Sequence, residues 1–128
     1  MTYIDGSVAL ARLLLEPRSS SEQFWQEQLV SSRLLEYEVW NRVHAYGLTS
    51  SHASEASALL AGIELVEMER PVLARALEPL PLPLRTLDAL HLATMVFLRG
   101  NGAPLELASY DSRLLAAAQA LGIPMAPV

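Results

Sequence analysis

Three aspartates stand out in this chain, Asp5, Asp88 and Asp111, because the other acidic residues are all glutamate. Asp is shorter and stiffer than Glu, so it suits positions where a carboxylate must be held at a fixed point. Asp5 ends a short apolar run, Tyr3-Ile4-Asp5. Asp88 lies near the start of the strongest helical stretch, and Asp111 follows the run Leu105-Glu106-Leu107-Ala108-Ser109-Tyr110. Carboxylates gathered at one place repel and are costly to desolvate unless a cation neutralises them. Oxygen-only ligands of this kind suit Mg²⁺, with Mn²⁺ as a substitute. Such an ion polarises a phosphoryl oxygen and lowers the pKa of water, and a carboxylate off the ion can orient that water or take its proton. The chemistry that follows is phosphodiester hydrolysis. Read singly, each acid has a plainer role: Asp5 as a turn former before Gly6-Ser7, Asp88 as a helix-dipole residue, Asp111 as an N-cap. Glu38, the fourth candidate, reads equally well as a solvated helix position like Glu36.

The elements that must position these acids follow from hydrophobic period and from turn residues. Thr2-Tyr3-Ile4 reads as a buried strand with Asp5 at its carboxyl end. Ser7 is expected to cap the following helix, Val8 to Leu15, which Pro17 stops. A short helix is expected from Glu22 to Gln28 and a second strand at Leu29-Val30-Ser31. Ser32 is the expected cap for a helix over 33–46, with Leu35, Val39, Val43 and Tyr46 as its inward stripe and Gly47 as its end. Another helix opens at Ser50-Ser51, a third strand covers 63–67, and a short helix covers 72–77. Pro79-Leu80-Pro81-Leu82-Pro83 is a rigid connector. The helix from Leu84 to Arg99 is opened by Pro83 or capped by Thr86, and Leu87, Leu90, Ala93, Val96 and Phe97 are read as its inward face. A fourth strand at 105–109, a helix at 111–121 closed by Gly122, and an edge strand near Ile123 complete the chain.

Strands alternating with helices predict an α/β fold with a parallel sheet covered on both faces. Ligand sites in such sheets form at the carboxyl ends of strands, where Asp5 and Asp111 are both expected. Helices that follow strands begin at the same edge, which brings Asp88 and Glu38 within reach.

Composition limits the remaining possibilities. At 128 residues the expectation is one domain spanning 1–128, with 52% apolar and 18% charged residues as in a packed globular chain. No apolar run approaches a membrane span, and the N-terminus lacks the charged and small-residue pattern of a signal peptide. Without cysteine there are no disulfides or thiolate ligands, and a reducing cytoplasm is the expected setting. Net charge is −5, with nine arginines and no lysine. The acidity argues against a broad basic face for duplex DNA, but leaves room for a metal and a few arginines facing phosphates. Lysine-dependent acidic pockets, those of receiver domains and haloacid-dehalogenase-like phosphatases, are set aside.

Four stretches together resemble the PIN-domain ribonucleases, most closely the VapC-type toxins of bacterial toxin–antitoxin pairs. Tyr3-Ile4-Asp5-Gly6-Ser7-Val8-Ala9-Leu10 is similar to the family's opening, with Gly6 in place of the usual threonine. Ser32-Arg33-Leu34-Leu35-Glu36-Tyr37-Glu38 resembles the second motif. Leu87-Asp88-Ala89-Leu90-His91-Leu92-Ala93 resembles the third and is the most specific match. Ser109-Tyr110-Asp111-Ser112-Arg113-Leu114 resembles the fourth, with Ser109 keeping the hydroxyl of the usual threonine. The matches fall in the family's order. The resemblance implies a three-layer α/β/α sandwich with a mainly parallel sheet of four to five strands. It implies a Mg²⁺-dependent endoribonuclease, with Asp5 and Asp88 as principal metal-site residues and Glu38 and Asp111 completing the pocket. It further implies a cognate antitoxin and a homodimer.

Weaker candidates surround the acids. Ser7 and Ser109 are supporting hydroxyls, Ser7 either as a hydrogen-bond partner of a metal-site carboxylate or only as the cap of the first helix. Arg85 and Arg113 either bind RNA phosphates or balance local charge. His91, one turn after Asp88, reads as a structural hydrogen bond. His44, His52, Trp25 and Trp40 read as packing or surface residues. The other functional readings are a PIN nuclease in RNA processing or DNA flap cleavage, and a non-catalytic binding module.

Overall fold

The computed structural model describes residues 1–128. Strand β1 (Thr2–Ile4) leads into α1 (Gly6–Leu13), and β2 (Leu29–Ser32) into α2 (Leu34–Ala45) and α3 (Thr49–Ala61). Strand β3 (Glu64–Val66) is followed by α4 (Arg70–Ala76) and α5 (Thr86–Gly100), and β4 (Glu106–Ala108) by α6 (Ser112–Ala120). The four strands form one sheet in the order β3-β2-β1-β4, and every pairing is parallel. All four therefore point their carboxyl ends to the same edge.

Alternation along the central strand divides the core in two, because successive side chains of a strand face opposite sides. Ile4 packs with Val8, Leu35, Val39, Val43 and Leu60 from α1, α2 and α3. Tyr3 and Val30 pack on the other side with Leu92, Met95, Leu107 and Leu114 from β4, α5 and α6. Helices thus cover both faces, the α/β/α sandwich expected. Burying an aliphatic side chain of this size contributes about 1.5–3 kcal/mol.

Several local expectations change. Helix α1 starts at Gly6, and Ser7 is inside it, not at its cap. The Ser7 hydroxyl is taken by Asp5 and by a distant backbone amide, so it does not serve the helix end. The helix expected at 22–28 contracts to one 3₁₀ turn, Phe24–Gln26. The residues after it are drawn out straight, because the Thr2 N–H donates to the Gln28 carbonyl and lines the chain up for β2. Arg33, not Ser32, holds the N-cap position of α2 and no side chain caps there; Ser32, one residue further back, accepts from the Leu34 N–H with its Oγ at 3.1 Å. Thr86 is the first residue of α5, not its cap. Tyr46, read as the last inward residue of α2, is 58% exposed. In α5 the buried run is His91 to Met95, and Leu87 is exposed, because the helix turns His91, Leu92 and Met95 toward the sheet. The expected edge strand is reduced to a single parallel bridge, Leu107 to Met125, since Pro124 and Pro127 supply no N–H.

Candidate active site

The carboxyl edge of the sheet opens into a cleft of about 590 Å³ lined by residues from four regions of the chain. Asp5 reaches it from the end of β1, where it occupies an extended backbone conformation before α1. Asp88 enters from the first turn of α5 and Asp111 from the start of α6. One carboxylate oxygen from each of the three lies within 4.8 Å of the others. Glu38, on the second turn of α2, lines the same cleft but is outside that tight group.

Asp5 is held from two sides. Ser7 Oγ donates to its Oδ1 at 2.6 Å, and Ser109 Oγ donates to its Oδ2 at 2.9 Å. The two serines are in turn fixed by backbone amides: Tyr110 N–H donates to Ser7 Oγ and Asp111 N–H to Ser109 Oγ, both at 2.9 Å. The β4–α6 junction is thereby tied to β1 across 104 residues of sequence. Asp111 uses Oδ1 to accept from the N–H groups of Arg113 and Leu114, so it caps α6 while belonging to the cluster.

Burial and crowding disfavour ionisation here. Asp5 is buried and its carboxyl is pushed above the ordinary range by desolvation, against the hydrogen bonds from Ser7 and Ser109. Asp88 is raised to about 6, first by desolvation and then by the neighbouring Asp111 and Asp5 carboxyls. Three crowded carboxyls on oxygen-only side chains form a site that a divalent cation would relieve, and the donor set fits Mg²⁺ or Mn²⁺.

Arginines frame this acidic floor without touching it. Arg12, Arg33 and Arg75 are paired with glutamates. Arg18, Arg42 and Arg85 line the cleft, and none is within ion-pair distance of a carboxylate. The Arg18 guanidinium sits 4.5 Å above the Tyr110 ring and that of Arg42 is 5.4 Å from the Tyr46 ring. Of the two arginines singled out from sequence, Arg85 lines the cleft and Arg113, exposed on α6, does not. Arg18 and Arg42 were not singled out from sequence, although Arg42 follows Glu38 by one turn of α2, a spacing that could have pointed to it.

His91 also proves better connected than its sequence context indicated. It is fully buried, its Nδ1 is 2.7 Å from the Tyr3 hydroxyl, and its Nε2 is 2.5 Å from Glu38 Oε1.

Comparison with known proteins agrees with this arrangement. Residues 2–120 match the model of the PIN domain. Ribonuclease VapC46 of Mycobacterium tuberculosis is 34% identical over 125 residues, covering 94% of this chain and 92% of that protein. Ribonuclease VapC47 of the same species is 29% identical over 129 residues, with 95% and 93% covered. The matched span takes in Asp5, Glu38, Asp88 and Asp111 together, and the chain belongs to the PIN-domain family as a VapC-type member.

Proposed function

We propose that the protein is a Mg²⁺-dependent endoribonuclease and acts as the toxin of a toxin–antitoxin pair. The observation that carries this reading is the three-carboxylate cluster at the cleft floor, with Asp88 raised to about 6, beneath arginines that have no carboxylate partner. Unpaired guanidiniums beside an acidic cluster suit a substrate that carries its own negative charge, and Arg matches phosphate geometry well. The VapC relatives are named ribonucleases, which favours RNA as that substrate.

In this reading Asp5 and Asp88 hold the ion. When bound, it neutralises the carboxylates and draws charge from the scissile phosphoryl group. Ser7 and Ser109 orient Asp5, so its two oxygens arrive at fixed positions. Asp111 and Glu38 flank the site as the acids that orient water and receive its proton. Arg18, Arg42 and Arg85 hold the flanking phosphates. The family resemblance makes a cognate antitoxin and a second copy of the chain the expected partners. The exposed Leu73 of α4 and Leu77 just after it, beside the proline-rich connector, offer apolar surface for such contacts.

The test is cleavage of single-stranded RNA by purified protein. Cleavage is expected with Mg²⁺ or Mn²⁺ and none with EDTA. Asp5→Asn should lower kcat at least about 100-fold, the scale of losing a group that stabilises transition-state charge. Full activity in EDTA or in Asp5→Asn would overturn the reading.

A further inference from the structure

We propose that His91 is a positioning residue that fixes the Glu38 carboxylate in the cleft, with Tyr3 setting the tautomer through which it acts and Gly6 leaving the space. The inference deepens the nuclease reading and rests on it for its catalytic consequence.

The geometry is a buried relay running from the sheet to the cleft. Tyr3 and His91 have no exposed surface, while the Glu38 side chain retains 17%. The Tyr3 phenol carries its proton at neutral pH, as an ordinary phenol value of about 10 requires. In the relay proposed, its O–H donates to His91 Nδ1, 2.7 Å away. With Nδ1 an acceptor, the ring proton sits on Nε2 and donates to Glu38 Oε1 at 2.5 Å. The opposite tautomer would place a bare ring nitrogen against a carboxylate oxygen, two acceptors with nothing between them. The hydrogen bond made by one ring nitrogen thus dictates what the other can do.

Glu38 needs such a hold. It is a long side chain facing three carboxyls that repel it, and no other hydrogen bond reaches its carboxylate. His91 ties down Oε1, and Oε2 comes to rest against Gly6. A Cβ built on Gly6 would be 3.1 Å from Oε2 and 3.4 Å from the Glu38 carboxyl carbon. Gly6 has an ordinary φ, so the absent side chain, not backbone freedom, is what this position provides. Glu38 is bonded on one side and in contact on the other, which confines it to one place at the cleft wall.

Two measurements test the relay. The first needs neither substrate nor metal: nitrogen chemical shifts and ring couplings of His91 in the ¹⁵N-labelled protein. A proton on Nε2 and a bare Nδ1 are expected, with the Nε2 proton shifted in Glu38→Gln. A proton on Nδ1 overturns the proposal. The second is kinetic. His91→Leu should lower kcat about 10- to 100-fold, the usual cost of losing a group that orients a site ligand, while KM stays within about threefold. His91→Gln, whose side-chain N–H reaches the place of Nε2, should recover much of that loss. Gly6→Ala should lower kcat as well, and by less in the His91→Leu background, where Glu38 is free to move aside; coupled sites depart from additivity in this way. Thermal melting and the Mn²⁺-induced rise in Tm confirm that each variant is folded with its aspartate cluster intact. His91→Leu with wild-type kcat, or additive effects of the two substitutions, overturns the proposal. If the wild-type protein cuts no RNA, it is the nuclease reading that fails, and the His91 proton still decides the relay.

Discussion

Asp111 serves two purposes with one carboxyl: Oδ1 caps α6, and the group as a whole belongs to the acidic cluster. The two roles can be separated. Asn caps helices about as well as Asp, whereas Ala loses the cap at a cost of about 1 kcal/mol. Asp111→Asn should therefore melt no lower than wild type yet cleave RNA more slowly, and Asp111→Ala should melt below Asp111→Asn and lose activity as well. Equal stability losses in the two variants would deny the cap. At this scale the sequence was informative about which acids come together, because three lone aspartates and four motif-like stretches pointed to them. It was silent about second partners. Nothing in the local context of His91 foretold Tyr3, 88 residues away, or Glu38, 53 residues away. Ser7 was read both as a partner for a site carboxylate and as a helix cap, and its hydroxyl serves Asp5 and not the helix end.

Helix α5 shows why element positions were easier to read than element faces. Its extent was legible from its apolar run, but Leu87 and Leu90 were taken as inward. The face turned to the sheet carries Asp88, His91, Leu92 and Met95, spaced at three, four and seven residues. Two polar residues on that face masked it, since a hydrophobic period assumes that what is buried is apolar. The same helix thus anchors the core by Leu92 and Met95 and presents chemistry by Asp88 and His91. Packing around the site should be correspondingly unforgiving. Leu92→Ala, at a fully buried position one residue from His91, is expected to cost about 2–5 kcal/mol. Denaturant melts should register this as a lower midpoint with an unchanged slope. A loss under about 1 kcal/mol would mean that α5 is packed more loosely than its burial indicates.

Over the whole molecule, parallel strands with a shared carboxyl edge explain how acids at 5, 38, 88 and 111 meet, and alternation of strands with helices was enough to foresee it. The cost of that meeting is a native state that resists its own ionisation. Asp88 binds its proton more tightly folded than unfolded, so its stabilising contribution is complete below the unfolded carboxyl value of 3.8 and is lost as pH rises through about 6; Asp5 is shifted in the same direction by burial. In EDTA, Tm should therefore fall between about pH 4 and about pH 7. Asp88→Asn should flatten this slope. Mn²⁺ at neutral pH should restore stability, by about 2.7 kcal/mol at a hundred times its Kd. A flat metal-free profile would show that the cluster is not under strain. The strand order carries one more consequence, for the protein's own synthesis. β1 lies between β2 and β4 in the sheet, yet β4 follows it in the chain by about a hundred residues. A nascent chain ending at residue 105 already holds Asp5, Glu38 and Asp88, yet it has no Ser109 to steady Asp5, no Asp111 and no strand along one side of β1. An enzyme that cuts RNA while being translated from it would be a hazard to its own message; here the fold itself withholds the finished cleft until β4 and the start of α6 have been made.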